Sequence, residues 1–97
     1  MSPTHQGLTL QYDRELEKIA ASLQMHHEPV WSNILQAWRN ELKHVSDLAA
    51  LKRHAARTSR SLAGMESLGE VATIINDPEL LRAIEDLYAS CKLILTS

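Results

Sequence analysis

The stretch NDPELLRAIEDLY, residues 76–88, reads as a helix start followed by a helix with one apolar side. Asp77 is a residue type that caps helix N-termini, Pro78 suits the first helical position, and Glu79 favours the positive end of the helix dipole. Apolar residues then recur at helical spacing: Leu80, Ile84, Leu87 and Cys91, with Leu81, Tyr88 and Leu95 beside them. The stretch therefore predicts a helix from Pro78 to about Leu95.

The composition of the whole chain favours the same all-α class. Its 97 residues include three Gly, three Pro and no Phe, and few are β-branched. Such a composition favours helices over sheets. Apolar residues at 44% and charged residues at 23% are ordinary for a globular domain. We expect a single helical domain over residues 1–97, with residues 1–7 flexible.

Three further helices are predicted upstream. The first runs from about Leu8 to Met25, ends at His26-His27-Glu28-Pro29, and buries Tyr12, Leu16, Ile19, Ala20 and Leu23. The second runs from Pro29 to about His44 and buries Trp31, Ile34, Leu35, Trp38 and Leu42. The third is capped by Ser46 or Asp47, ends at Gly64, and buries Leu48, Leu51, Ala55, Thr58 and Leu62.

Residues 66–75 fit two structures. Ser67 and Glu70 have the spacing of a capping box, and Leu68, Val71, Ala72 and Ile75 fit one helical face. The run of residues 71–75, Val-Ala-Thr-Ile-Ile, also suits an extended segment. We therefore predict a bundle of four main helices with antiparallel neighbours and a short helical or extended segment before the last helix.

Charge is unevenly distributed along the chain. Residues 39–60 contain six Lys or Arg and two acids, whereas residues 61–97 contain six acids and two basic residues. The net charge of the whole chain is −2. Such asymmetry favours docking of one half on the other, or steers a charged partner. Arg53, Arg57 and Arg60 share one helix face, but no aromatic residues lie between them, so we expect no nucleic-acid partner.

No set of residues indicates catalysis or metal binding. His26 and His27 are adjacent, so on a helix their side chains diverge by about 100°. His44 and His54 are ten residues apart, unlike paired zinc ligands, and we expect the histidines to be solvated or near helix caps. We predict no cofactor, no metal and no enzymatic activity, with Cys91 as a small core residue. The alternative is a hydrolase or nucleotide-binding protein with a site assembled from dispersed residues.

The remaining features predict a cytoplasmic protein without a membrane partner. The N-terminus lacks a basic region followed by an apolar core, as a signal peptide would have. No apolar run approaches the ~18 residues of a membrane span. The single Cys91 excludes an internal disulfide, which fits the reducing cytosol.

The segment from about Ser32 to Leu93 resembles small α-helical immunity proteins encoded beside antibacterial type VI secretion effectors. The likeness is densest in residues 76–88 and extends to those immunity proteins that neutralise NAD(P)+ glycohydrolase toxins. The resemblance implies a bacterial protein that binds a cognate toxin and blocks its active site. It supplies no catalytic residues.

Because nucleotide-handling toxins often present basic clefts, we expect the acidic last third of the chain to contact the toxin. The candidate partner-binding residues are Glu66, Glu70, Asp77, Glu79, Glu85, Asp86 and the potential apolar anchor Trp31. A short domain has little to cover apolar side chains near its helix ends, and such side chains are present at Val30, Trp31, Leu93 and Leu95. We therefore also expect a homodimer. A helical homodimeric scaffold or interaction protein is the alternative function.

Overall fold

The computed structural model describes residues 5–62 and 68–97 of the chain. The elements in these residues are five helices: α1 His5–Met25, α2 Pro29–Leu42, α3 Leu48–Ser61, α4 Leu68–Ile75 and α5 Pro78–Leu95. The described residues contain no strand, which confirms the all-α prediction. None of these helices has both the length and the apolar character needed to cross a bilayer.

The helix boundaries follow the capping residues closely. Helix α5 begins at Pro78 and ends at Leu95, as predicted. Helix α1 begins at His5 instead of Leu8. Residues 5–7, which were expected to be flexible, are therefore helical. Residues 1–4, the rest of that segment, lie outside the described residues. Helix α2 ends at Leu42, two residues before the predicted end, because the chain turns at residues 43–44.

The two alternatives left open by the sequence have clear outcomes. Residues 68–75 form the helix α4, so the extended reading of this segment is wrong. Asp47 caps α3, because its carboxylate accepts a hydrogen bond from the backbone N–H of Ala50 at 2.7 Å. The predicted helix end at Gly64 and the predicted cap at Ser67 lie outside the described residues.

Two residues in the left-handed region end helices and redirect the chain. His27 has φ 58°, and the hydrogen bonds from its N–H to Gln24 O and from Glu28 N–H to Leu23 O form a Schellman motif. Asn76 also has φ 58° and donates its N–H to Ala72 O, which is the simpler left-handed cap. Asn and His tolerate this region better than most residues. Each turn therefore follows from one residue in the left-handed region and the hydrogen bonds beside it.

Helix α1 lies between α2 and α5. Arg39 pairs with Asp13, and the Ser32 hydroxyl reaches Ala20 O, so α2 runs antiparallel to α1. Ser90 donates to Glu15, and His26 meets Asp77, so α5 also runs antiparallel to α1. Helices α3 and α4 pack against α5.

The core is made by the predicted apolar faces. Its most deeply buried large side chains include Tyr12, Leu16, Ile19, Leu23, Leu35, Leu51, Leu68, Leu80, Leu87 and Ile94. Trp31, Ile34 and Leu48, which were expected in the core, are only partly buried. Trp31 and Leu48 occupy the first turns of their helices, and Ile34 lies at the margin of the buried face of α2. At such positions a small domain has few neighbours to cover a large side chain.

Candidate functional site

One end of the molecule is formed by the turn between α1 and α2 and the turn between α4 and α5. We call this region, residues 25–31 and 74–79, the turn end. Nε2 of His26 lies 2.8 Å from Oδ2 of Asp77 and joins the two turns. Asp77 also accepts the backbone N–H of Glu79 at 3.0 Å. The hydrogen bond from His26 is the main cause that lowers the pKa of Asp77, so this carboxylate is already engaged within the chain.

The turn end carries the three most exposed large apolar side chains among the described residues. Met25 is 80% exposed, Ile74 is 77% exposed and Val30 is 66% exposed. Each lies within four residues of His26 or Asp77, the pair that holds the two turns together. Apolar side chains that gather in one exposed region mark interaction surfaces. The turn end is therefore the candidate partner-binding surface.

Trp31 belongs to this surface and lies in the first turn of α2. Its ring centroid is 6.4 Å from that of Trp38, and the two planes meet at 72°, an edge-to-face arrangement. Trp38 is buried, whereas Trp31 is only partly buried at the start of α2. The indole of Trp31 is thus held in place by the core while part of it faces solvent, as an interface anchor requires.

The acidic candidates do not form a single face. Glu66 lies outside the described residues, and Glu70 is exposed on α4 and makes an interaction within the chain. Glu79 and Asp86 are seven residues apart, which places them on one side of α5, the side toward α1. Glu85 points about 100° away from Asp86 around the same helix. Of the five acids that the structure describes, only Asp77 and Glu79 lie at the turn end.

A groove lies between α1 and α5, with a volume of about 540 Å³ over its central part. Its walls carry charges of both signs, from Arg14, Lys18, Glu79, Arg82 and Asp86. Glu15 lies at its floor and is 8% exposed. Oε1 of Glu15 accepts from Ser90 Oγ at 2.8 Å and from Gln11 Nε2 at 3.4 Å. Burial is the main cause that raises the pKa of Glu15.

A buried polar cluster joins three helices in the core. Tyr12 Oη lies 2.8 Å from His54 Nδ1 and 2.5 Å from Thr58 Oγ1, and His54 Nε2 lies 3.0 Å from Trp38 O. A carbonyl oxygen only accepts, so Nε2 carries the hydrogen, and in the neutral ring Nδ1 accepts from the Tyr12 hydroxyl. Because the phenol has one hydrogen, the Thr58 hydroxyl donates to Tyr12. The cluster is satisfied internally and is a structural feature.

His54 corrects the expectation that the histidines are solvated. It is 6% exposed, and burial lowers its pKa below the ordinary value. Glu41 Oε2 lies 3.6 Å from Nε2, but this carboxylate is half exposed and pairs with Arg57, so burial dominates. The sequence spacing could have predicted this burial. His54 lies three residues after Leu51 and four before Thr58, on the helix face that both buried residues share.

The arginine face of α3 is exposed, as its helical spacing predicts. Arg53, Arg57 and Arg60 line one side of a shallow cleft with His54 and Glu41. Arg57 forms an ion pair with Glu41, and Arg39 pairs with Asp13 at 2.9 Å. Asp13 and Glu41 both lie outside the acidic last third of the chain.

Cys91 is buried, as predicted, and burial raises the pKa of its thiol to about 12. A thiol in that environment stays protonated at neutral pH, so it is a poor nucleophile. Within residues 5–62 and 68–97, no group of three or more His, Cys, Asp or Glu side chains is placed to hold a metal ion.

Comparison with protein-family models, with curated proteins and with solved structures yields no match for this chain.

Proposed function

We propose that this protein is a bacterial immunity protein of the cytosol that binds a cognate antibacterial toxin domain and blocks its active site. The observation that carries the proposal is the exposure of Met25, Val30 and Ile74 at one end of the molecule. When a partner covers large exposed apolar side chains, their surface is removed from water, and this stabilises the complex. The resemblance of residues 76–88 to immunity proteins of type VI secretion effectors supports the class of partner.

The proposed contact surface combines an apolar centre with an acidic margin. Met25 and Ile74 supply apolar area, Trp31 is the aromatic anchor, and Asp77 and Glu79 lie beside them. Apolar and aromatic groups at an interface centre supply most of the affinity, whereas charges at its margin accelerate encounter. A toxin with a basic rim around its active site is complementary to this arrangement. In this proposal the four long helices form an antiparallel bundle that holds the surface rigid, and the protein performs no catalysis itself.

The direct test is coexpression with the product of the adjacent gene. We expect the two proteins to copurify and growth to be rescued from toxicity. Replacing Met25 and Ile74 together by Ser should weaken the complex at least tenfold, because two apolar contacts are lost without altering the core. The matched control is Leu10→Ser, which removes a side chain 54% exposed near the other end of α1. Equal losses in both variants, or no complex with the wild-type chain, would contradict the proposal.

The second candidate function is a homodimeric scaffold or interaction protein. It is favoured by Leu93 and Leu95, which are 45% and 39% exposed near the end of α5, far from the turn end. A second copy packed there would cover these residues and leave Met25 and Ile74 free. A dimer that forms without any toxin gene nearby would favour this function over immunity.

A further inference from the structure

We propose that the hydrogen bond between His26 and Asp77 is a clasp that regulates the partner-binding surface. While the clasp is closed, the α1–α2 turn and the α4–α5 turn present Met25, Val30 and Ile74 at one end of the molecule. When it opens, the α4–α5 turn moves and this apolar surface is divided. The inference rests on the proposed function for its partner, but the clasp itself is tested on the free chain.

The first observation is that Asp77 uses its two oxygens for two different purposes. Oδ1 accepts the backbone N–H of Glu79 at 3.0 Å and caps α5. Oδ2 lies 2.8 Å from Nε2 of His26, which is 51 residues earlier in the chain. Capping a helix needs one acceptor oxygen, which a Ser side chain also supplies. The second oxygen therefore serves the contact between the two turns and not the start of the helix.

The second observation is backbone strain on both sides of the clasp. His27 follows one residue of the clasp and Asn76 precedes the other, and both have φ 58°. In the part of the chain that the structure describes, these are the only non-glycine residues with a positive φ. The left-handed conformation is unfavourable for a residue with a Cβ atom, and it persists where surrounding contacts hold it. Each turn can therefore relax at one residue once the clasp no longer holds it.

The third observation is the way in which α4 is attached. This helix has eight residues and packs against α5, which follows it in the chain. Isolated helices of this length are not stable in water, so the position of α4 depends on tertiary contacts. Leu68 and Ala72 are buried and hold its inner side, whereas Ile74 near its end is 77% exposed. The bond between His26 and Asp77 connects this end of α4 to the α1–α2 turn.

The electrostatics of Asp77 agree with a closed clasp. The hydrogen bond from His26 is the main cause that lowers the pKa of Asp77. A carboxylate that accepts a hydrogen bond keeps its charge to a lower pH than a free one does. The pKa of Asp77 therefore reports whether the clasp is closed, without any partner present.

Carbon-13 NMR and hydrogen exchange test the clasp on the free full-length chain. In His26→Ala we expect the pKa of Asp77 to rise toward its ordinary value. Amides 72–76 should exchange about tenfold faster, because a hydrogen bond to a charged group is lost. Amides 84–91 of α5 should keep their rates, since the core is unchanged. His26→Gln, which keeps an N–H donor, should restore the slow exchange. Equal acceleration of both segments, or unchanged rates at 72–76, would overturn the proposal.

A pair of cap substitutions separates the clasp from the helix cap. Asp77→Ser keeps an oxygen for the N–H of Glu79 but removes the one that meets His26. Asp47→Ser makes the same change at the cap of α3 and is the matched control. Exchange of amides 72–76 should accelerate in Asp77→Ser and stay unchanged in Asp47→Ser. Slow exchange in both variants would show that the second oxygen of Asp77 holds nothing in place.

Binding of the adjacent gene's product tests the consequence for the partner. His26→Ala should weaken the complex about tenfold, and His26→Gln should restore it, because the surface is assembled again. If the wild-type chain and His26→Ala bind this product equally well, the clasp does not regulate the surface, and the immunity function stands. If the wild-type chain does not bind the product, the immunity function is refuted, and the exchange of amides 72–76 still decides whether the clasp holds the two turns together.

Discussion

At the scale of single residues, the core is organised around polar atoms as well as apolar ones. Tyr12, His54 and Thr58 meet in the interior, and His54 also reaches the backbone of Trp38, so one cluster links α1, α2 and α3. The rings of Tyr12 and His54 meet edge to face at 5.3 Å. A satisfied buried network ties helices in one register, because a shifted arrangement leaves polar atoms unpaired.

Removing the Tyr12 hydroxyl should destabilise the fold. In Tyr12→Phe the buried Nδ1 of His54 loses its donor, and we expect the free energy of unfolding to fall by about 1–3 kcal/mol. Urea denaturation measures the change. Tyr88→Phe is the matched control, because Tyr88 is 40% exposed and its ring lies under the ammonium of Lys92, a contact that Phe retains. A loss in Tyr88→Phe as large as in Tyr12→Phe would contradict this assignment.

Burial of His54 should make stability depend on pH. The folded pKa lies below the ordinary value of about 6.5, so just below pH 6.5 the unfolded chain binds a proton that the folded chain does not. The free energy of unfolding should therefore decrease as the pH is lowered from 7 toward the folded pKa. Nitrogen NMR of the imidazole at pH 7 should show a neutral ring with its hydrogen on Nε2. A ring that titrates at 6.5, or one with its hydrogen on Nδ1, would refute the network.

At the scale of elements, the helices are delimited by short-range chemistry. Asp47 and Asp77 cap the starts of α3 and α5 with their carboxylates, and Pro29 and Pro78 occupy first helical positions. Asn76 ends α4 in the left-handed conformation. These signals act within a few residues, so they can be recognised in the sequence before any tertiary contact is known.

Asp47 provides a clean measure of capping in this fold. Asp47→Ala removes the acceptor for Ala50 N–H and should lower the free energy of unfolding by about 1 kcal/mol, whereas Asp47→Asn should be nearly neutral. Ser46→Ala is the control, since Ser46 precedes the cap and is exposed. Thermal or urea unfolding of the three variants gives the comparison. A larger effect from Ser46→Ala than from Asp47→Ala would show that the cap is misassigned.

At the scale of the whole molecule, exposed apolar residues are split between two ends. Val30 and Trp31 lie at the turn end, whereas Leu93 and Leu95 lie about 24 Å further along α5. These four residues therefore do not form one patch, although the homodimer was predicted from all four together. We propose the turn end as the surface for a partner and the C-terminal end of α5 as the surface for a second copy.

Self-association stays a prediction, and the structure sharpens its test. We expect a homodimer at micromolar concentration in sedimentation velocity, formed through the end of α5 that carries Leu93. Leu93→Ser should shift the population to monomer, and Val30→Ser should leave the dimer intact. The wild-type chain sedimenting only as a monomer across that range would eliminate the dimer, and dissociation by Val30→Ser alone would assign it to the turn end.

The sequence by itself determined the helical class, the span of α5 and most of the buried faces of α1, α3 and α5. These follow from apolar spacing and from capping residues such as Asp77 and Pro78, which act locally. Only the tertiary structure decided that Glu15 is buried, that Trp31 remains partly open, and that Met25 and Ile74 share one end. Those facts depend on which helix covers which, and residues far apart in sequence, such as Glu15 and Ser90, meet only when α1 and α5 pack antiparallel.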